Sequence, residues 1–215
     1  MKIVLNGFKP FGGDSINPSW EAVSRLPGTV EGAAIVPVRL PVEYHRGREL
    51  LSDLLDREKP DAVICVGQAG GRAMLTPEKV AINWMDAGIP DGSGYLASGE
   101  PVLAGGETAY FSTLPIKAFV SAMQTKGIPA ALSFTAGTYV CNSTMYHLLD
   151  LVRLKGLNIP AGFVHVPFIC EQTVGRGPST PSLPLEMIEA GLLEMVRCLV
   201  SGNADESQKP AGYTH

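Results

Sequence analysis

Apolar residues fall along this chain in two alternating rhythms. Short unbroken runs at Ile3 to Asn6, Ala33 to Val38, Ala62 to Val66, Ala130 to Phe134 and Gly162 to Val166 predict buried strands. Between them, apolar positions recur at helical spacing over Pro18 to Leu26, Val42 to Asp56, Pro115 to Lys126, Ser143 to Lys155 and Pro184 to Leu199. Met145, Leu148, Leu149, Val152 and Leu154 carry the period in the fourth of these helices. Alternation of unpatterned strands with amphipathic helices predicts an α/β chain whose sheet is covered by helices on both faces. In such sheets ligands bind beyond the carboxyl ends of the strands.

Two stretches break the rhythm. Thr76 to Glu100 contains Asp86-Ala87-Gly88-Ile89-Pro90-Asp91-Gly92-Ser93-Gly94 and reads as a long loop, of the kind that is functional or disordered. Residues 201–215 are polar and rich in small side chains, and are predicted to be a disordered tail. Residues 1–200 form a single domain, since neither a repeat nor a linker divides them.

Composition narrows the function classes. A chain of 215 residues with 45% hydrophobic and 18% charged residues suits one soluble domain with a sizeable core. A formal net charge of −4 provides no basic surface for nucleic acid. No apolar run approaches membrane-spanning length, and the start Met1 to Asn6 is too short for a signal-peptide core. Cys65, Cys141, Cys170 and Cys198 lack CxxC spacing, which suggests neither a zinc site nor a disulfide framework. Four reduced thiols imply a cytoplasmic protein.

The candidate chemistry sits at strand ends. Cys141, in Ala136-Gly137-Thr138-Tyr139-Val140-Cys141-Asn142, stands between a strand and a helix. A thiol in the first helical turn meets the positive end of the helix dipole, which favours the reactive thiolate. A buried structural cysteine is the competing reading. Gly7-Phe8-Lys9-Pro10-Phe11-Gly12-Gly13 follows the first strand, and its two phenylalanines can wall a small-ligand pocket. A turn holding two core phenylalanines accounts for the segment equally well, and the Gly-Lys-Ser/Thr pattern of a phosphate-cradling loop is absent. Asn17 and Pro18 fit a helix N-cap and first helical position. Gly67-Gln68-Ala69-Gly70-Gly71-Arg72 allows close backbone approach to a ligand, or makes a tight turn only. Glu78 in isolation reads as a surface residue. His165 lies in an apolar strand, where a satisfied core histidine is the ordinary reading, yet it is the histidine best placed to serve a cysteine nucleophile. His45 and His147 fall in helix-like segments and His215 in the tail. A thiol, an imidazole and an orienting carboxylate are the minimal set for acyl transfer.

At these residues the sequence resembles the pyroglutamyl peptidase I family. The resemblance rests on Gly7-Phe8, Pro10-Phe11-Gly12-Gly13, Asn17-Pro18-Ser19-Trp20-Glu21-Ala22, Gly67, Ala69-Gly70-Gly71-Arg72, Ala136 to Asn142 and His165-Val166-Pro167, in one order from residue 1 to about 200. It implies a three-layer α/β/α sandwich with a twisted, largely parallel or mixed sheet. It further implies a cofactor-free cysteine peptidase that releases N-terminal pyroglutamate from peptides, and a homotetramer. On this resemblance Cys141 is the nucleophile, His165 the base and Glu78 its orienting acid. Phe8 and Phe11 contact the pyrrolidone ring, and Gln68, Tyr139 and Val140 line the same pocket. Two positions depart from the family: Lys9 replaces an acidic residue, and Gly88 replaces an arginine in the Asp-Ala-Arg-Ile-Pro-Asp loop. The second departure opens the alternative of a homologue that binds pyroglutamyl peptides with little or no turnover. A phosphorylase or other transferase on a similar sandwich is a weaker alternative, because no phosphate-binding basic residues can be placed.

Overall fold

Four apolar strands lie parallel at the centre of the protein, in a computed structural model that describes residues 1–202. The elements run β1 (Lys2–Phe8), α1 (Pro18–Arg25), β2 (Thr29–Val30), β3 (Ala33–Leu40), α2 (Tyr44–Glu58), β4 (Ala62–Gln68), β5 (Thr76–Pro77), β6 (Val80–Ile82), β7 (Met85–Asp86), β8 (Ser98–Glu100) and β9 (Ala109–Phe111). They continue with α3 (Ile116–Thr125), α4 (Val140–Leu154), β10 (Ala161–Val166), β11 (Phe168–Ile169), a 3-10 turn at Cys170–Thr173, β12 (Ser182–Leu183) and α5 (Leu185–Ser201). The main sheet has the order β2-β3-β1-β4-β10-β5. β3, β1, β4 and β10 are mutually parallel, and the edge strands β2 and β5 are antiparallel to their neighbours. The sheet is therefore mixed, with a parallel middle.

Side-chain alternation along the strands sorts the core into two layers. Ile3, Leu5, Ile64, Val66, Val164 and Val166 pack against Phe119 and Met123 of α3, Ile188 and Leu192 of α5, and Val23 of α1. Val4, Val63, Cys65 and Phe163 face the other way, against Leu51 and Leu54 of α2 and Met145 and Leu148 of α4. This is the three-layer α/β/α sandwich.

Three expectations change. Ala130 to Phe134 does not form a regular strand. It runs extended beside Leu75 to Lys79, bridged only at Leu75–Ala130 and Glu78–Ser133. Leu75 N–H bonds Pro129 C=O, Ala131 N–H bonds Leu75 C=O, Ser133 N–H bonds Pro77 C=O and Lys79 N–H bonds Ser133 C=O. The rung in between needs an N–H from Pro77, and proline has none. Phe134 at its end is 53% exposed, not buried. The expected long loop, Thr76 to Glu100, contains the short strands β5 to β8, with β5 joining the main sheet. The helix expected from Ser143 begins at Val140 instead. Of the expected tail, Ser201 closes α5 and the rest beyond Gly202 lies outside the described residues.

No helix among the described residues is long and apolar enough to cross a membrane.

Candidate active site

The carboxyl ends of β1, β4 and β10 and the start of α4 surround one cleft, of ≈ 540 Å³ with its open mouth included. Phe8, Phe11, Asn17, Val42, Gln68, Ala136, Tyr139, Val140, Cys141 and His165 line it. Seven of the eight residues singled out from sequence are thus brought together. The eighth, Glu78, stands behind His165 and is fully buried. Asn17 was read from sequence only as a helix cap; Val42 and Ala136 were not singled out at all.

Local chemistry explains each placement. Asn17 caps α1 through its Oδ1, which accepts from Ser19 N–H at 3.1 Å, while its Nδ2 donates to Lys9 C=O at 3.0 Å. Ser19 Oγ accepts from Phe8 N–H at 3.0 Å. The cap therefore fixes the loop that carries both phenylalanines.

Cys141 is the second residue of α4, in the turn whose N–H groups have no carbonyl partner within the helix. Its sulfur rests over Gly67: a β-carbon built there would lie 2.9 Å from Sγ and 2.6 Å from Cζ of Phe163. Gly67 pairs in register with His165 on the next strand, and strands in a sheet lie about 4.8 Å apart. Thiol and imidazole are neighbours above adjacent strand ends.

His165 Nδ1 lies 2.7 Å from Glu78 Oε1. A carboxylate accepts, so Nδ1 carries the hydrogen and Nε2 is left as the acceptor. Arg72 Nη1 donates to the same Oε1 at 2.6 Å, and also bonds Thr76 and, through Nη2, Thr135 C=O at 3.0 Å. Glu78 is 0% exposed and its Oε2 has no hydrogen-bond partner. A buried carboxylate of this kind requires an opposite charge beside it, and Arg72 supplies one. Arg72 is thereby turned onto Glu78 and does not line the cleft.

Burial pushes the Cys141 thiol up to about 12, with the Glu78 carboxylate acting in the same direction and Arg72 and the Cys141 N–H against it. Burial also lowers His165, against the opposing pull of Glu78, and Arg72 adds to the lowering. Burial thus works against the thiolate that the helix terminus favours.

The roof of the cleft is tied down from the segment 86–95. Tyr139 OH donates to Pro90 C=O at 3.0 Å, and Thr138 and Asp86 exchange two bonds. Asp91 Oδ2 accepts from Tyr44 N–H at 2.9 Å, capping α2 where Glu43 makes no side-chain cap. Tyr44 then stacks edge-on against Tyr139 with centroids 5.6 Å apart. The Gly67 to Arg72 loop is less available as a donor site than its glycines suggest, because Ala69 N–H is bonded to Val166 C=O at 2.9 Å.

Residues 1–200 match the family model described as pyroglutamyl peptidase. The chain is 51% identical over 192 residues to a pyrrolidone-carboxylate peptidase of Thermococcus kodakarensis, covering 89% of this chain and 92% of that one. It is 47% identical to the Enterococcus faecalis protein of the same name over 215 residues, 100% of both chains. The crystal structure of pyroglutamyl peptidase I from Bacillus amyloliquefaciens superposes with a TM-score of 0.87 at 46% identity, covering 91% of this chain and 93% of that one. With sequence, fold and cleft in agreement, this chain belongs to the pyroglutamyl peptidase family.

Proposed function

We propose that this chain hydrolyses the bond after an N-terminal pyroglutamyl residue, by acyl transfer through Cys141. The observation that carries the reading is a thiol at a helix start sharing one cleft with an imidazole whose Nδ1 is held by a buried carboxylate. His165 Nε2 takes the thiol proton as sulfur bonds to the substrate carbonyl carbon. Glu78 holds the tautomer and stabilises the imidazolium that forms. First-turn N–H groups of α4, that of Cys141 among them, face the developing oxyanion. The C–N bond then breaks, the imidazolium proton goes to the departing amine, and a thioester remains. Water attacks it with His165 as base, releasing pyroglutamate and returning the proton to sulfur.

The lining chemistry supports a neutral lactam as the ligand. Phe8, Phe11, Tyr139 and Val140 offer apolar walls, and Gln68 and Asn17 offer polar groups. No Lys, Arg, Asp or Glu is among the lining residues, so a free α-amino or carboxylate group would be desolvated without a partner. The same feature disfavours a phosphate-dependent transferase. A pocket that binds without turnover rests on Gly88 alone, and the assay below decides it.

The resemblance extends the proposal to a homotetramer in the cytoplasm. Ile82 and Phe111 lie exposed on the β6–β9 pair, where a subunit contact would cover them. Light scattering across a dilution series tests the assembly.

Hydrolysis of a pyroglutamyl-linked fluorogenic amide tests the activity, with Cys141→Ser as control. Iodoacetamide should abolish turnover in step with modification of Cys141, while adducts on exposed Cys170 leave it intact. Full activity with Cys141 alkylated would end the thiol-peptidase reading.

A further inference from the structure

The orientation of Gln68 in the cleft is set by a relay of side chains that begins at a backbone N–H. Ile169 N–H donates to Gln172 Oε1 at 3.2 Å. An N–H can only donate, so this bond decides which end of the Gln172 amide is oxygen. The amino group of Gln172 therefore faces the other way, to Gln68 Oε1 at 3.0 Å, Asp14 Oδ2 at 3.1 Å and Ile16 C=O at 3.4 Å. Because Gln68 Oε1 accepts there, the other end of the Gln68 amide is its amino group. One contact, to Asp14 Oδ2, is at 3.5 Å, the outer limit of a hydrogen bond. Its second N–H has no acceptor among the described residues.

The relay is braced from outside. Arg176 donates from Nη2 to Asp14 Oδ1 at 2.5 Å and from Nε to Gln172 C=O at 2.6 Å. Its guanidinium lies 4.4 Å over the ring of Phe168. Gln172 itself is buried, at 9% exposure, and its bonds span 104 and 158 positions of sequence. A buried amide with every partner specified has one orientation rather than two.

We infer that Gln172, braced by Asp14 and Arg176, is a specificity-setting positioning residue: it fixes the Gln68 amide so that the cleft presents an N–H donor to the substrate ring. The inference rests on the pyroglutamyl reading of the cleft. A lactam carbonyl accepts a hydrogen bond from that N–H. A proline ring has a methylene at the same place and leaves the donor unpaired. With the Gln68 amide reversed, its oxygen would oppose the lactam oxygen.

Gln172→Glu tests the relay, since it keeps the shape and the bond from Ile169 N–H. As a carboxylate it cannot donate to Gln68 Oε1, and it draws the Gln68 amino group away from the cleft. The expected result is a rise in KM for a pyroglutamyl amide of about 10–100-fold, with kcat changed far less. Discrimination against the matching prolyl amide should fall by the same factor. Tm should fall as well, because the new carboxylate faces Asp14 Oδ2 and Ile16 C=O where the amide donated. The KM-against-kcat split and the discrimination therefore carry the test. Gln172→Met, which frees Gln68 without reversing it, should give a smaller rise. An unchanged KM and discrimination in the glutamate variant, or a loss confined to kcat, overturns the inference while the wild type still cleaves. A wild type that cleaves neither amide overturns this inference and the proposed function together. If Gln172→Glu does not fold, the methionine variant decides on the same two readouts.

Discussion

The sulfur of Cys141 lies 2.9 Å from where a β-carbon of Gly67 would be. The strand under the proposed nucleophile has to be bare for the thiol to reach its position. Gly67→Ala should push the sulfur and the Phe163 ring apart, because Phe163 Cζ would be only 2.6 Å from the new atom. A misplacement of about 1 Å at a reacting centre costs about 10²-fold, and overpacking costs about 1–3 kcal/mol of stability. The expected outcome is a folded protein with kcat/KM reduced by about 10²-fold and slower alkylation of Cys141. Wild-type kinetics in that variant would show that the sulfur has another productive position.

His165→Ala should remove nearly all turnover, whereas Glu78→Gln should leave a measurable remnant. The first loses the group that moves the proton; the second loses only the partner that holds Nδ1, 2.7 Å away. Residues acting as a unit are not additive, so the double variant should be little worse than His165→Ala alone. Multiplicative losses in single-turnover assays would mean that the two side chains act independently.

How much of this was readable from sequence depends on how local the cause is. β1 and α1 were legible because an apolar run and an Asn-Pro cap are contained in neighbouring residues. The broken ladder at 130–134 was not, since the missing donor is Pro77, some fifty positions earlier. The start of α4 was misplaced by three residues because Tyr139 caps it without a side-chain bond, leaving no cap signature to read. Short strands such as β5 and β7 have too few residues to show a period. Cys141, His165 and the two loop phenylalanines stood out by their places at strand ends, and the family resemblance gave them their roles. The carboxylate role of Glu78 came only with that resemblance, and its pairing with Arg72 required coordinates. Tyr44, Asp91 and Gln172 act through contacts between distant segments, and no local pattern marks them.

Stability should peak between about pH 6.5 and 8.5. His165 is lowered by burial, and His147 is lowered to about 4 by burial with Arg48 adding to it. Below about 6.5 the unfolded chain takes up protons that the folded chain refuses, so stability falls as pH drops toward the folded values. Cys141 is raised to about 12, and burial raises Cys65 as well. Above about 8.5 the unfolded chain releases protons that the folded chain keeps, so stability falls as pH rises. Urea unfolding under reducing conditions at pH 5, 7.5 and 9.5 checks both limbs. Replacing Cys65 and Cys141 by alanine should flatten the alkaline limb, and an intact alkaline slope in that variant would refute its assignment to the thiols. If His165 acts as the proposed base, turnover requires its neutral form, and the acid limb of kcat/KM should lie below 6.5.

The last prediction concerns Gly88, where the family carries arginine. Gly88 has no positive φ, and a β-carbon added to it meets no atom within 4 Å. The backbone therefore does not demand glycine, and Gly88→Arg should fold. Arg72 does not substitute for the missing side chain, since its guanidinium is held on Glu78, Thr76 and Thr135. Gly88 lies between Asp86, bonded to Thr138, and Pro90, bonded to Tyr139, so a long cation there starts beside the turn that carries Cys141. If that cation stabilises developing negative charge, the variant should gain up to about 10²–10³ in kcat. If it instead firms the 86–95 segment, the gain should appear in KM. Either gain should leave the preference for pyroglutamyl over prolyl amides unchanged, because the Gln68 amide is held by Gln172 and not by the 86–95 segment. An equal or lower kcat/KM in Gly88→Arg would show that the cleft is complete with glycine at this position.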